Sequence, residues 1–155
     1  MFKINEYKEK INNFFEIMVE NKKIVEIRLS EDKWTLKEMV GHLIDSASNN
    51  HQRFVRLQIE KNINFPIYDP EEWKNISKIS GFDFFELIDL WKSYNCFLLH
   101  LIKNIDENDL NNIWKVSGKE LTLKFIIQDY FEEHMDWHID LYTNRIGEII
   151  LANKQ

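Results

Sequence analysis

Glycine and proline are scarce in this chain, four and two in 155 residues. So few chain breakers force few turns, which favours long uninterrupted helices over a many-stranded sheet. Cysteine is scarcer still. The single Cys96 excludes an internal disulfide and fits a reducing compartment. No apolar run approaches the roughly 20 residues that span a bilayer. The charged stretch Met1 to Lys10 lacks the apolar centre of a secretory signal, so the cytoplasm is the expected location, with no membrane partner. Positive charge is in deficit: 20 Lys and Arg against 26 Asp and Glu leave −6, with no basic stripe. That balance argues against nucleic acid as a partner, because phosphate binding needs a basic surface. Repeats and low-complexity tracts are absent. What remains is 44% hydrophobic and 14% aromatic, enough for one cored domain over residues 1–155.

Apolar spacing then predicts four helices. The first, about 5–21, carries Tyr7, Ile11, Phe14, Phe15 and Met18. The second, about 36–60, opens on the capping-box pattern Thr35-Leu36-Lys37-Glu38, with Trp34 placed to staple the first turn. A third, about 83–104, opens on Asp83 with Glu86 three residues on. The fourth takes Thr122 as its N-cap and is expected to end near Gly147. A helical turn is expected around 71–75, and 114–121 alternates around Ser117-Gly118-Lys119 as a small hairpin would. The fold class is therefore all-α, a four-helix bundle. Both prolines fall in the connection between helices two and three. At about 3.3 Å per residue its roughly 20 residues can recross a helix of about 37 Å, which permits a long crossover.

Chemistry concentrates in the histidines. His134 and His138 are four residues apart in Glu133-His134-Met135-Asp136-Trp137-His138, about 40° apart on one helix face. The stripe Leu123, Ile127, Tyr130, His134, His138, Leu141 reads as an inward face. His42, flanked by Met39 and Leu43, sits at a comparable core boundary on the second helix. Three imidazoles from two helices could form an open divalent-metal site. The competing arrangement is a set of buried histidines bonded to carbonyls or carboxylates. Ser46, Asn49 and Arg53 follow His42 at i+4, i+7 and i+11, a polar line suited either to a solvated pocket or to an outer helix face. Asn49 and Arg53 are candidates to orient an anionic ligand, or ordinary surface polar residues. Tyr68, Asp69 and Trp73 on the long connection are candidates to cover the pocket mouth, with simple packing the plainer role. Asp45 reads as a solvated carboxylate, with a supporting role behind the metal as the alternative. His51, nearly opposite His42, is left for a subunit contact; His100 suits a helix C-terminus, and Cys96 a small buried position. No general base stands out.

The segment from Trp34 to Asp45, continued by Asn49-Asn50-His51-Gln52-Arg53-Phe54, resembles the first metal-ligand helix of the DinB-like (YfiT-like) superfamily. Asp129 to His138 resembles its last helix, with the family's His-x-x-x-His pair. The resemblance implies an up-down-down-up bundle, homodimers, and zinc or nickel held by His42, His134 and His138. It also implies thiol S-transferase chemistry with bacillithiol-type cofactors, or hydrolase chemistry, on a small-molecule substrate. A non-catalytic bundle that binds a small ligand at a metal, or serves in stress, and a purely structural bundle are the competing expectations.

Overall fold

The computed structural model describes residues 2–154; Met1 and Gln155 lie outside the described residues. In chain order the elements are α1 (Ile4–Glu20), α2 (Leu36–Ile59), β1 (Asn62–Ile63), α3 (Pro70–Ser77), α4 (Phe84–Lys103), β2 (Ile113–Val116) and β3 (Lys119–Thr122). A last long helical segment joins α5 (Leu123–Asp129), a π-helical turn (Tyr130–His134) and α6 (Met135–Ala152). Four long helical segments thus make the bundle, as the apolar spacing predicts.

Helix starts reflect the side-chain chemistry of their caps. Thr35 Oγ1 accepts from the Glu38 amide at 3.1 Å, and Glu38 Oε2 accepts from the Thr35 amide at 2.9 Å, the reciprocal capping box. Asp83 caps α4 through the Glu86 amide at 2.9 Å, and Thr122 caps α5 through the Phe125 amide at 3.1 Å. Asp69 caps α3, with Pro70 in the first turn, where its missing amide costs nothing. The hairpin forms, with Ser117 and Gly118 both at positive φ, the backbone a two-residue turn of this kind requires.

Three details depart from the sequence expectations or add to them. The last helix runs through Gly147 to Ala152. Burial of Ile149 and partial burial of Ile146 outweigh the roughly 1 kcal/mol that a helical glycine costs relative to alanine. Strand β1 pairs in parallel with β2 and completes a three-stranded sheet in the order β1-β2-β3. A two-residue strand carries no alternation to read. Trp34, placed before the cap of α2, makes two contacts the sequence does not announce: its indole donates to Glu71 Oε2 at 2.9 Å, and its ring stands edge-on to His42.

Contacts order the helices. Tyr7 meets Phe131 and Phe14 meets Tyr142, so α1 and the last segment run in step. Lys37 reaches the Ser80 carbonyl and His51 reaches Tyr94, so α2 and α4 also run in step. Between these pairs the sense reverses: His42 faces His138 and Phe54 faces Tyr130. Arg145 donates to the Trp34 carbonyl, holding that end of the α2–α6 contact. Gly41 lets the connection close on α2, since a Cβ there would lie 2.7 Å from Ile79 Cγ1.

The core centres on Trp91, edge to face with Phe14, which meets Tyr142 in the same way. Next to it lies a fully buried polar pair. Tyr130 donates to Asn95 Oδ1 at 2.8 Å, and Asn95 Nδ2 donates to the Trp91 carbonyl at 2.8 Å. Asn95→Leu keeps the branched shape of the side chain and leaves the Tyr130 hydroxyl buried without a partner. The expected cost is about 1–3 kcal/mol, read as a lowered urea midpoint. Adding Tyr130→Phe is expected to restore part of it, and a double variant no more stable than the single would contradict this account.

Candidate metal centre

His42 comes from the second turn of α2, His134 from the end of the π turn and His138 from the first turn of α6. One donor nitrogen from each lies within 4.8 Å of the others. Nε2 of His134 and Nε2 of His138 are 3.2 Å apart. Two imidazoles bound tetrahedrally at about 2.1 Å would place their nitrogens about 3.4 Å apart, so this pair is close to ligating geometry. The His42 and His138 rings are 4.9 Å apart between centroids.

The π turn decides which residues face the bundle. One extra residue in the turn rotates the remainder of the helix by about 100° relative to an uninterrupted α-helix. The inward stripe expected to end at Leu141 therefore shifts by one position: Leu141 is 37% exposed and Tyr142 is fully buried. Neighbours hold the wide turn in place. Lys10 Nζ donates to the Phe131 carbonyl at 2.9 Å, Tyr7 donates to Glu132 and stacks on Phe131, and Asn95 holds Tyr130.

Burial keeps the three imidazoles neutral. It pushes His42 down to about 4 and His138 down to about 3, with the neighbouring imidazoles adding to both. His134 is also lowered by burial, against the opposing pull of Asp129. Neutral rings present lone pairs, the form a metal requires. Among the described residues none of the three rings bonds to a carbonyl or a carboxylate, and His42 Nδ1 is buried with no partner at all. The alternative of core histidines satisfied by carbonyls or carboxylates is thus not what the structure holds. An orphaned ring nitrogen and two ring nitrogens aimed at each other fit a shared cation.

The polar line of α2 lies inside the bundle, not on an outer face. Ser46, Asn49 and Arg53 are all buried. Asn49 Nδ2 donates to the Asp45 carbonyl at 2.9 Å, which turns that amide onto its own helix. Tyr68 packs its ring 6.2 Å from His42, and its hydroxyl bonds Ser46 and feels the charges of Asp45 and Arg53. Burial and the Asp45 charge push that hydroxyl up to about 12. Trp73 packs against Tyr68 at 4.8 Å with the rings tilted by 49°, while Asp69 is exposed and serves as the α3 cap.

Asp45 corrects the sequence expectation. It is half-buried rather than solvated, and burial pushes its carboxyl up to about 6. Tyr130 and Trp137 border the His134–His138 pair as the helical spacing places them, Trp137 against His138 at 4.7 Å and Tyr130 stacked on His134 at 6.1 Å; sequence reasoning missed Trp34, which stands edge-on to His42. Trp34 lies before the cap of α2, eight residues from His42, and no local pattern joins the two. His51 bonds the Tyr94 hydroxyl at 3.0 Å and His100 is exposed on the last turn of α4. Cys96 is half-buried, not buried. A recess of about 920 Å³ between the start of α1 and the end of α4 is lined by none of these groups, and its polar lining residues are exposed.

Fold and site together define a helical-bundle protein with a three-histidine cluster suited to a divalent metal. Among solved structures the chain is similar to YfiT from Bacillus subtilis, described as a probable metal-dependent hydrolase with an unusual four-helix bundle topology. The two share 18% sequence identity at a TM-score of 0.76, over 95% of this chain and 90% of that one. The chain therefore has the YfiT-like fold. No protein-family profile and no curated protein matches the sequence.

This geometry has two testable outcomes. His42→Ala, His134→Ala and His138→Ala are each expected to weaken metal binding by more than the roughly 10–100-fold typical of outer-shell changes. Metal analysis after dialysis reads it, and full retention in all three would remove the site. Without metal, stability is expected to fall as pH drops from 6.5 through about 4, because the unfolded imidazoles take up protons that the buried His42 and His138 do not. Asp45 acts oppositely between 3.8 and about 6, since its folded form holds a proton more tightly. Urea midpoints against pH should fall more steeply with acid in Asp45→Asn and less steeply in His138→Ala.

Proposed function

We propose that this protein is a metal-dependent enzyme that hydrolyses a small molecule at a divalent cation held by His42, His134 and His138. One observation carries the proposal: three neutral imidazoles from two helices converge within 4.8 Å with no carboxylate among them. A divalent ion held by these three imidazoles would supply Lewis acidity, the property that lowers the pKa of water or a thiol toward neutral pH.

The chain's own residues supply the rest. Three neutral ligands leave a dication uncompensated, so the open position favours an anion. Tyr68 and Trp34 cover His42 and Trp137 covers His138, which limits water around the rings. Asp45, held at about 6 by burial, is ionised at neutral pH yet basic enough to accept a proton at its carboxylate. The description of YfiT as a probable metal-dependent hydrolase supports the same reading. Imidazole donors suit zinc and nickel alike.

Thiol S-transfer with a bacillithiol-type cofactor is the second reading, and the all-imidazole donor set favours it because a neutral set leaves charge for a thiolate to balance. A non-catalytic bundle that binds a ligand at the metal would use the same donors without Asp45. We also propose a cytoplasmic homodimer, on the strength of the single cysteine and the exposed Phe85, Leu90 and Phe97 on α4.

Zinc- or nickel-loaded protein, offered chromogenic esters and anilides, is expected to show turnover that chelation abolishes and metal restores. Asp45→Asn is expected to lower kcat by about 10²–10⁴-fold with metal content unchanged. Turnover surviving chelation would defeat the proposal. Product formed only when a thiol and an electrophile are both present would favour the second reading, and ligand binding without turnover the non-catalytic one.

A further inference from the structure

Arg53 is a buried cation without an anion. It is 8% exposed, and among the described residues no carboxylate pairs with it. The more exposed Arg28 and Arg145 have Glu38 and Glu148. A charge taken out of water needs pairing, because burial removes its hydration without replacement. The protein supplies part of that replacement. Trp114 lies 4.0 Å from the guanidinium carbon and covers one face, with Phe65 at 5.7 Å. Nη1 donates to Asn50 Oδ1 at a long 3.3 Å, and Nε is buried with no partner. The edge of the fork that carries Nε and Nη2 is therefore unused.

The surroundings hold that edge in place. Asn50 Nδ2 is tied to the Ser46 carbonyl at 2.9 Å, which presents its oxygen to Arg53. The Trp114 indole donates to the Phe65 carbonyl at 2.8 Å, which fixes the ring under the guanidinium. β1 and β2 bring these two aromatics together through their parallel pairing. Arg53 lies on the same face of α2 as His42, and its guanidinium reaches back one turn toward that helix's N-terminus, to Asn50. Eleven positions of rise, about 16 Å, less the lean of the side chain, leave a gap of roughly 10 Å. Tyr68 lies over that stretch of α2, with its ring 6.2 Å from His42 and its hydroxyl at Ser46, between His42 and Arg53 in the sequence of the helix.

We propose that Arg53 is the anchor for a carboxylate on the substrate, bound side-on through Nε and Nη2, so that the substrate class is small-molecule carboxylates. This rests on the metal-centre reading for where the reacting end lies, and on the Arg53 geometry alone for the anion. A carboxylate and a metal-directed group separated by roughly three to five bonds would span the two. A planar carboxylate matches the two parallel donors of a guanidinium edge, and a single negative charge balances it.

Two arms test this. In metal-free protein, glutarate is expected to raise the melting temperature and glutaramide to leave it unchanged; Arg53→Gln should abolish the glutarate shift. In zinc-loaded protein, a hydroxamate bearing a terminal carboxylate is expected to bind about tenfold tighter than its carboxamide counterpart. Arg53→Gln should erase that difference while zinc content and acetohydroxamate affinity hold. Arg53→Lys keeps the charge and loses the fork, and is expected to lose most of the discrimination; it stands in if the Gln variant does not fold. A carboxylate advantage absent from the wild type, or surviving in both variants, overturns the proposal. A phosphonate tail preferred over the carboxylate overturns the assigned class. Failure to bind zinc, with the glutarate shift intact, would defeat the metal centre and leave the anchor standing.

Discussion

A turn one residue too wide, Tyr130–His134, is the constraint that shapes the three-histidine cluster. It sets the rotation of everything after it, and so decides that Tyr142 points inward while Leu141 does not. A π turn is poorer in hydrogen-bond geometry than the α-helix around it, so something else must hold it open. Side chains from two other helices do so: Lys10 at the Phe131 carbonyl, Tyr7 at Glu132 and Phe131, and Asn95 at Tyr130. The core and the site are therefore built as one unit. Trp91, which centres the core, also supplies the carbonyl that orients Asn95.

The site itself balances two opposing demands. Imidazoles must be buried enough to stay neutral, yet their lone pairs must remain available. Aromatic rings achieve the first without hydrogen bonding to the nitrogens: Trp34, Tyr68, Tyr130 and Trp137 pack on the rings, while the donors are left to one another. The same economy of partners holds at Arg53, where an indole face rather than a carboxylate accompanies the charge. The small sheet matters for this reason. Its pairing of β1 with β2 places Phe65 and Trp114 beneath a residue of α2 that is distant from both in sequence.

Much of this was legible from the chain. The caps at Thr35, Asp83 and Thr122 arise from side chains bonding amides within three residues, a local matter that needs no tertiary partner. The histidine trio and the polar line from His42 to Arg53 come from helical periodicity, because a helix places i, i+4, i+7 and i+11 on one face. The burial of Asp45, by contrast, depends on Tyr68 and the connection folding over α2, and no pattern around Asp45 announces it.

By itself, then, the sequence determined where the helices begin, which faces are apolar, and that His42, Ser46, Asn49 and Arg53 share one face of a helix as His134 and His138 share one of another; that the first line faces the interior was decided by the fold. The tertiary structure decided the π turn, the strand β1, the run of the last helix past Gly147 and the cation–π seat of Arg53. The reason is physical. Caps and periodicity act over a few residues of one chain segment, whereas a widened turn, a two-residue strand or a buried unpaired charge is stable only in the field of groups that other segments bring to it.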